Sequence, residues 1–234
     1  MTQIERHPSM PPADPIPGFF GKVPARGDFI SRRLPPALQS DWESWLATLV
    51  VAARDALGDA WPEAWLTAPL WHFLLGTSLS PPSGAAGVLI ASADRIGRLY
   101  PFTIIGAASD TPSSDRLVLN NWARSAEALT LGALEDDFDP EALDAAMVEL
   151  GSPPAVAGVA RASGHWPLAF DGDWPTEDAD VFADSALQPP GPDQSAWYCR
   201  GSDRVEPMHL RCTGLPESAI AAAMITGTFG FAAC

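Results

Sequence analysis

Lysine is almost missing from this chain. Lys22 is the one lysine in 234 residues, and the other thirteen cations are arginines. Basic residues are scarce altogether, 14 against 29 Asp and Glu, which leaves a net charge of −15. Such a surface repels phosphodiester backbones, so nucleic acid is excluded as a general partner. An anionic membrane leaflet repels it too. Cysteine is also scarce: Cys199, Cys212 and Cys234 make an odd number. Met1–Met10 carries Glu5, Arg6 and Pro8 where a secretory leader has an apolar stretch. Together these predict a reduced, cytoplasmic setting without a disulfide framework. Long apolar runs are missing as well. The longest, Ala219–Cys234, is interrupted by Thr226, Gly227, Thr228 and Gly230. It is shorter than the ~20 residues that a spanning helix needs, so it reads as a core helix and membrane insertion is not expected.

Several chemical signatures are lacking too. Gly21-Lys22 is followed by no Ser or Thr and preceded by no glycine-rich run, so it is no phosphate loop. Gly76-Thr77-Ser78-Leu79-Ser80 falls one glycine short of a nucleophile elbow, and Pro81-Pro82 blocks a helix after it. His7, His72, His165 and His209 include no metal-binding HExxH pair. Cys199, His209 and Cys212 could meet across a hairpin but lack knuckle spacing. No catalytic residue, metal or cofactor is therefore expected. Arg26-Gly27-Asp28 matches an adhesion tripeptide, of no use inside a cell; Gly27 reads as a tight turn between two charges.

What is present is ample apolar material. Hydrophobic residues are 47% and charged residues 18%, below the usual ~25%, which excludes a solvating disordered chain. The length suits one large domain or two small ones. Residues 1–17, with Pro8, Pro11, Pro12, Pro15 and Pro17, read as a flexible arm, and 18–234 as one domain. A helix is predicted from about Asp41 to Leu57, opened by a Ser40/Glu43 capping box and closed by Gly58. Trp42, Trp45, Leu46, Leu49, Val50, Ala53 and Leu57 give it a wide apolar stripe. Leu70–Leu75, Val88–Ala91 and Tyr100–Gly106 read as strands, with Pro101 at a strand start or on an edge. Further helices are predicted over about Asp115–Leu134 and Pro140–Leu150, the latter capped by Asp139 and closed by Gly151. Residues 151–195 form a Pro/Gly/Asp-rich excursion with short strands at Val156–Ala160 and Trp166–Phe170. Trp197–Cys199 and Val205–Leu210 read as paired strands, followed by a helix over Pro216–Ile225. Without strict βαβ alternation, the expected fold is mixed α/β: a mostly antiparallel central sheet flanked by helices in a three-layer sandwich.

Nine tryptophans is a high count. The helix stripe accounts for Trp42 and Trp45; Trp166 and Trp174 fit either an interface or a fold-back onto their own domain. Charge is unevenly placed. The first 33 residues carry five cations and three acids, in a chain that is otherwise strongly acidic. Asp94-Arg95-Ile96-Gly97-Arg98 links two predicted strands. Its turn needs Gly97 but not two arginines and an aspartate. If this loop lies beside the Gly27 loop, Arg26, Asp28, Ser31, Asp94 and Arg98 can interlock. Such a network can be structural, a binding site or catalytic.

Gly18-Phe19-Phe20-Gly21-Lys22-Val23-Pro24-Ala25-Arg26-Gly27-Asp28-Phe29, continued by Ser31-Arg32-Arg33-Leu34-Pro35, resembles the opening motif of the TagF family of type VI secretion-associated proteins. Gly87–Arg98 with Pro101-Phe102 resembles the second motif. Ser195-Ala196-Trp197-Tyr198 resembles a Ser-x-Trp-Trp third motif with Tyr198 in place of the second tryptophan, and Gly214-Leu215-Pro216 resembles the closing segment. Gly21, Pro24, Gly27, Phe29, Gly97, Pro101, Ser195 and Trp197 are then motif residues with structural roles. The resemblance implies an α/β sandwich and a cytoplasmic, post-translational repressor of type VI secretion. It implies action by binding a forkhead-associated scaffold protein rather than by catalysis. The alternative is an enzyme or small-anion sensor built on the five-residue polar cluster. The absence of a nearby histidine counts against acid–base work near neutral pH.

Overall fold

The computed structural model describes residues 15–109, 112–113, 116–156, 166–169 and 189–229. The first half runs β1 (Gly18–Gly21), β2 (Ile30–Arg32), α1 (Pro36–Leu57), α2 (Trp61–Leu66), β3 (Trp71–Leu75), β4 (Ala85–Ile90) and β5 (Phe102–Ala107). Then come β6 (Pro112–Ser113), α3 (Arg116–Gly132), α4 (Pro140–Leu150), β7 (Ala155–Val156) and β8 (Trp166–Ala169). β9 (Gln194–Cys199), β10 (Met208–Thr213) and α5 (Ser218–Thr226) complete the order.

β3, β4 and β9 are buried at every position, so both faces of their sheet must be covered. Eight strands pair in the order β2-β1-β5-β4-β3-β9-β10-β8, each pair antiparallel. β6 and β7 form a separate parallel pair. Side chains alternate between the faces. Trp71, Phe73, Leu89, Ile105 and Trp197 meet α1, α2 and α5 in one core. Phe19, Val88, Phe102 and Ile104 meet α3 and α4 in the other. The result is the expected three-layer mixed α/β sandwich with an antiparallel sheet.

α1 starts earlier than the capping-box spacing suggests. Pro35 is the cap residue, Pro36 takes the first helical position, and no side chain caps the end. Proline there has its φ already set and lacks an amide that the first turn would leave unpaired. Ser40 therefore falls inside the helix, and Glu43 accepts a 2.6 Å hydrogen bond from Gln39 Nε2. The predicted stripe is the buried face, with Trp42, Trp45, Leu46, Leu49 and Ala53 in the core. α4 matches its predicted bounds, and the Asp139 side chain accepts from the Glu141 amide. Ser31, which with Pro36 bounds what the sequence alone suggests is a connection ending in a double proline, belongs instead to the short strand β2. The excursion supplies the edge strand β8, and most of its remainder lies outside the described residues, as do Trp174 and residues 1–14 of the arm.

Tryptophans join the layers. Trp42, Trp45, Phe73 and Trp197 form one aromatic cluster, with Trp42 and Trp197 stacked at 6.0 Å. Buried indole N–H groups need acceptors. Trp45 Nε1 donates to the Pro216 carbonyl at 2.9 Å, Trp65 Nε1 to Ser92 at 2.7 Å, and Trp71 Nε1 to Met224 at 3.1 Å. The Ser-x-Trp motif works in the same way. Ser195 and Trp197 share one face of β9; Trp197 Nε1 donates to Ser195 Oγ at 2.9 Å, and that hydroxyl donates to the Gly214 carbonyl at 2.6 Å. The third motif and the closing segment are thus one hydrogen-bonded unit. Tyr198 points to the opposite face, 6.1 Å from the His72 ring. Trp42 Nε1, in contrast, is buried without a partner. Trp197→Phe and Trp42→Phe remove similar volume from one cluster, but only the former breaks a hydrogen bond. Urea denaturation is expected to show Trp197→Phe the more destabilising by about 1 kcal/mol.

Candidate functional site

The two glycine-containing loops lie side by side at one end of the sheet. β1 ends at Gly21, where φ is +137° and a Cβ would lie 2.1 Å from the Pro101 carbonyl oxygen. Only glycine fits there. The Lys22 amide then donates to that carbonyl at 3.2 Å. Pro24 occupies the second position of a β-turn closed by the Arg26 amide on the Val23 carbonyl at 3.1 Å. That turn reverses the chain, and Gly27 does not: Gly27 is absent from the positive-φ residues. Phe29 stacks on Phe20 at 5.6 Å, meets Tyr100 edge-on at 4.8 Å, and lies 4.9 Å from Lys22 Nζ.

The second loop is a hairpin tip. The Gly97 amide donates to the Asp94 carbonyl at 2.8 Å, with φ +81° at Gly97, as the turn requires. Asp94 turns its fully buried carboxylate back into the loop. Oδ1 accepts from the amides of Ile96 at 3.1 Å and Arg98 at 2.9 Å. Oδ2 accepts from Arg98 Nε at 2.6 Å and from buried Lys22 Nζ at 2.9 Å. Burial alone would raise the Asp94 pKa; the bonds from Lys22, Arg98 and Ile96 outweigh it and hold the carboxyl well below the usual range. Two further bonds join the loops. The Arg95 amide donates to the Arg26 carbonyl at 2.8 Å, and Arg98 Nη2 donates to the Gly27 carbonyl.

The five predicted residues divide. Asp94 and Arg98 form the centre. Asp28 stands at the rim, in water, with Oδ1 3.9 Å from Arg98 Nη2. Arg26 joins through its carbonyl, and its side chain is exposed. Ser31 lies elsewhere: it pairs with Phe20 on the α1 face, and its hydroxyl donates to Gln39 Oε1 at 3.1 Å. The residue that sequence reasoning passed over is Lys22. The signal was there, since a chain with one lysine places it between Phe20-Gly21 and Val23.

A second buried polar group lies on the other side of β3. His72 Nε2 is 2.9 Å from Glu127 Oε2, and Arg200 Nη1 donates to Glu127 Oε1 at 3.0 Å. Burial lowers the His72 pKa, opposed by its carboxylate neighbour. Cys199, His209 and Cys212 do not converge, because His209 stands opposite Tyr198 while Cys199 and Cys212 alternate to the other face. Among the described residues no three His, Cys, Asp or Glu side chains are grouped to hold a metal ion. No described helix is long and apolar enough to cross a membrane.

The TagF N-terminal domain family, described as type VI secretion system-associated, matches residues 18–150, which include both paired loops. The chain belongs to the TagF family. A solved structure, PA0076 from Pseudomonas aeruginosa PAO1, is similar to it with a TM-score of 0.71 and 30% identity, covering 93% of this chain and 97% of that one. No curated protein matches. The TagF match ends at Leu150, so the Ser195–Trp197–Gly214 unit lies beyond it, within the reach of the structural similarity.

Because Lys22 and Asp94 are both buried, breaking their pair strands a charge. Lys22→Met is expected to cost about 3 kcal/mol or more in denaturant unfolding. Arg98→Ala should cost less, since Arg98 is half exposed and its loss leaves Asp94 paired with Lys22. A depressed native pKa means that the unfolded state binds the extra proton, so stability falls with pH. The Asp94 contribution is therefore complete above about pH 4, the ordinary carboxylate value, and is lost as pH falls towards the lower native value. Asp94→Asn is expected to be less stable at pH 7 and to lose less further stability between pH 5 and pH 2, as read by urea midpoints.

Proposed function

We propose that this TagF-family chain is a cytoplasmic repressor of type VI secretion, acting after translation by binding a forkhead-associated scaffold protein and without catalysis. The observation that carries this reading is the saturation of the Asp94 carboxylate. All four bonding directions used by Asp94 go to Lys22, Ile96 and Arg98, leaving it no room to take a proton from a substrate. A general base must be within reach of the proton it removes. Asp28, the other acid of the two loops, stands in water at the rim, 3.9 Å from Arg98 Nη2, with no enclosed pocket of described residues around it to hold a substrate. The charged residues thus hold two loops in a fixed relation, as a rigid recognition surface requires. The family's association with type VI secretion supplies the setting, and the resemblance of the two motifs supplies the direction of the effect.

The test is capture and secretion together. Tagged protein expressed in a bacterium with an active type VI system is expected to co-purify the forkhead-associated scaffold and, when overproduced, to suppress effector release. Absence of the scaffold from the purified material, with unaltered effector release, overturns the reading.

A further inference from the structure

Two arginines in the paired loops are left unused by the fold. Among the described residues, Lys22, Arg32, Arg33, Arg54, Arg98, Arg200 and Arg204 each form an ion pair with a carboxylate. Arg26 and Arg95 are exposed, and their side chains form neither an ion pair nor a hydrogen bond there. In a chain with 29 acids this is unexpected, because carboxylates outnumber cations by about two to one. The two are also neighbours: the Arg95 amide bonds the Arg26 carbonyl, and Arg95 Nη2 is 3.7 Å from where a Gly27 Cβ would stand.

Apolar surface accompanies them. Phe29 is 50% exposed and Ile96, at the hairpin tip, is 70% exposed. Gly27, two residues before Phe29 and beside the Arg95 side chain, is not needed as glycine by the fold. Its φ is not positive, and an added Cβ would make only an ordinary contact with Arg95. A bare peptide without a conformational reason is what close approach by another chain calls for. The local charge is reversed too. Residues 22–29 and 94–98 hold four cations and two acids within a molecule of net −15.

We propose that the face formed by Arg26, Gly27, Phe29, Arg95 and Ile96 is the docking surface of this protein, and that its occupant is an acidic polypeptide segment carrying an apolar side chain. This rests on the reading that the protein works by binding another protein, and it assigns the surface and the chemistry of the bound segment. Exposed guanidinium groups pair with carboxylates in bidentate fashion. Phe29 and Ile96 offer the apolar anchor around which interface energy concentrates. Gly27 lets the incoming backbone lie flat between the two arginines. The acidic remainder of the surface repels such a segment, which confines it to this face. The Asp94 carboxylate fixes the two loops beforehand, so little ordering is lost on docking.

The probe is a fluorescein-labelled twelve-residue peptide of Asp and Glu with two leucines, beside a control with Asn and Gln in place of the acids. Fluorescence anisotropy with the full chain is expected to show binding of the acidic peptide that weakens with salt, and much weaker binding of the control. Arg26→Glu with Arg95→Glu, and separately Gly27→Leu, should each weaken binding by about tenfold or more, with near-UV circular dichroism and Tm unchanged. No binding by the wild type, equal binding of the control, or equal binding by the variants overturns the proposal. So does a loss confined to self-association in sedimentation, which would make a second copy the occupant. Scaffold capture separates the two readings. Capture that survives in both variants sinks this face and leaves the regulator reading standing. Loss of peptide binding in the variants, with a wild type that captures no scaffold, upholds the face and removes the scaffold.

Discussion

The carboxylate of Asp94 is the point on which the motif end of this molecule depends. One oxygen shapes its own hairpin by taking two amides; the other reaches outside the hairpin to the Lys22 ammonium and the Arg98 guanidinium. Local turn formation and long-range tethering are therefore the same event, 72 residues apart in sequence. A charge this deeply buried would be unfavourable alone. It is tolerated because every partner it needs is supplied by backbone amides or by cations that the same loops carry. Arg98 then passes the constraint on, since its outer nitrogen holds the Gly27 carbonyl.

The remainder of the sandwich prepares that end by making the sheet edge rigid. Lys22 leaves β1 only after Gly21 has been pressed against Pro101, so the register of β1 on β5 fixes where its amine can go. Behind the sheet, tryptophan indoles reach from α1, α2 and β3 to carbonyls on distant segments. These are directional contacts inside an otherwise non-directional core, and they set how the helical layer is seated. The separate motifs Ser195-Ala196-Trp197 and Gly214-Leu215-Pro216, at the two ends of the β9–β10 hairpin, turn out to be donor and acceptor ends of one chain of bonds.

Much of the fold was legible where local chemistry and tertiary need coincide. α4 could be read to its ends because Asp139, Pro140 and Gly151 each have a local reason to stand where they do. Most strands were visible as apolar runs, and their antiparallel pairing followed from the lack of crossover helices; β2 was missed, and β10 runs over Met208–Thr213 rather than the expected Val205–Leu210 because its outward positions are polar. α1 was misread at its start because Ser40 and Glu43 imitate a cap while Pro36 had already begun the helix. At the site, the meeting of two glycine loops was legible from surplus charge in a hairpin that did not need it. Ser31 was misplaced because nearness in sequence says nothing about face: one residue along β2 decides whether a side chain meets α1 or the other side of the sheet. Lys22 escaped notice because a lysine in an acidic chain is ordinarily a solvated one.

That lysine also determines how the molecule meets covalent chemistry. Its ε-amine is the only one among the side chains of the whole chain, and it is enclosed beneath Phe29 and held by Asp94. Acylation, methylation and amine-directed cross-linking all begin with an accessible, unprotonated nitrogen. On this protein the folded state withholds the one such side-chain group, so its side-chain ammonium charge is shielded from modification for as long as the two loops stay closed on each other.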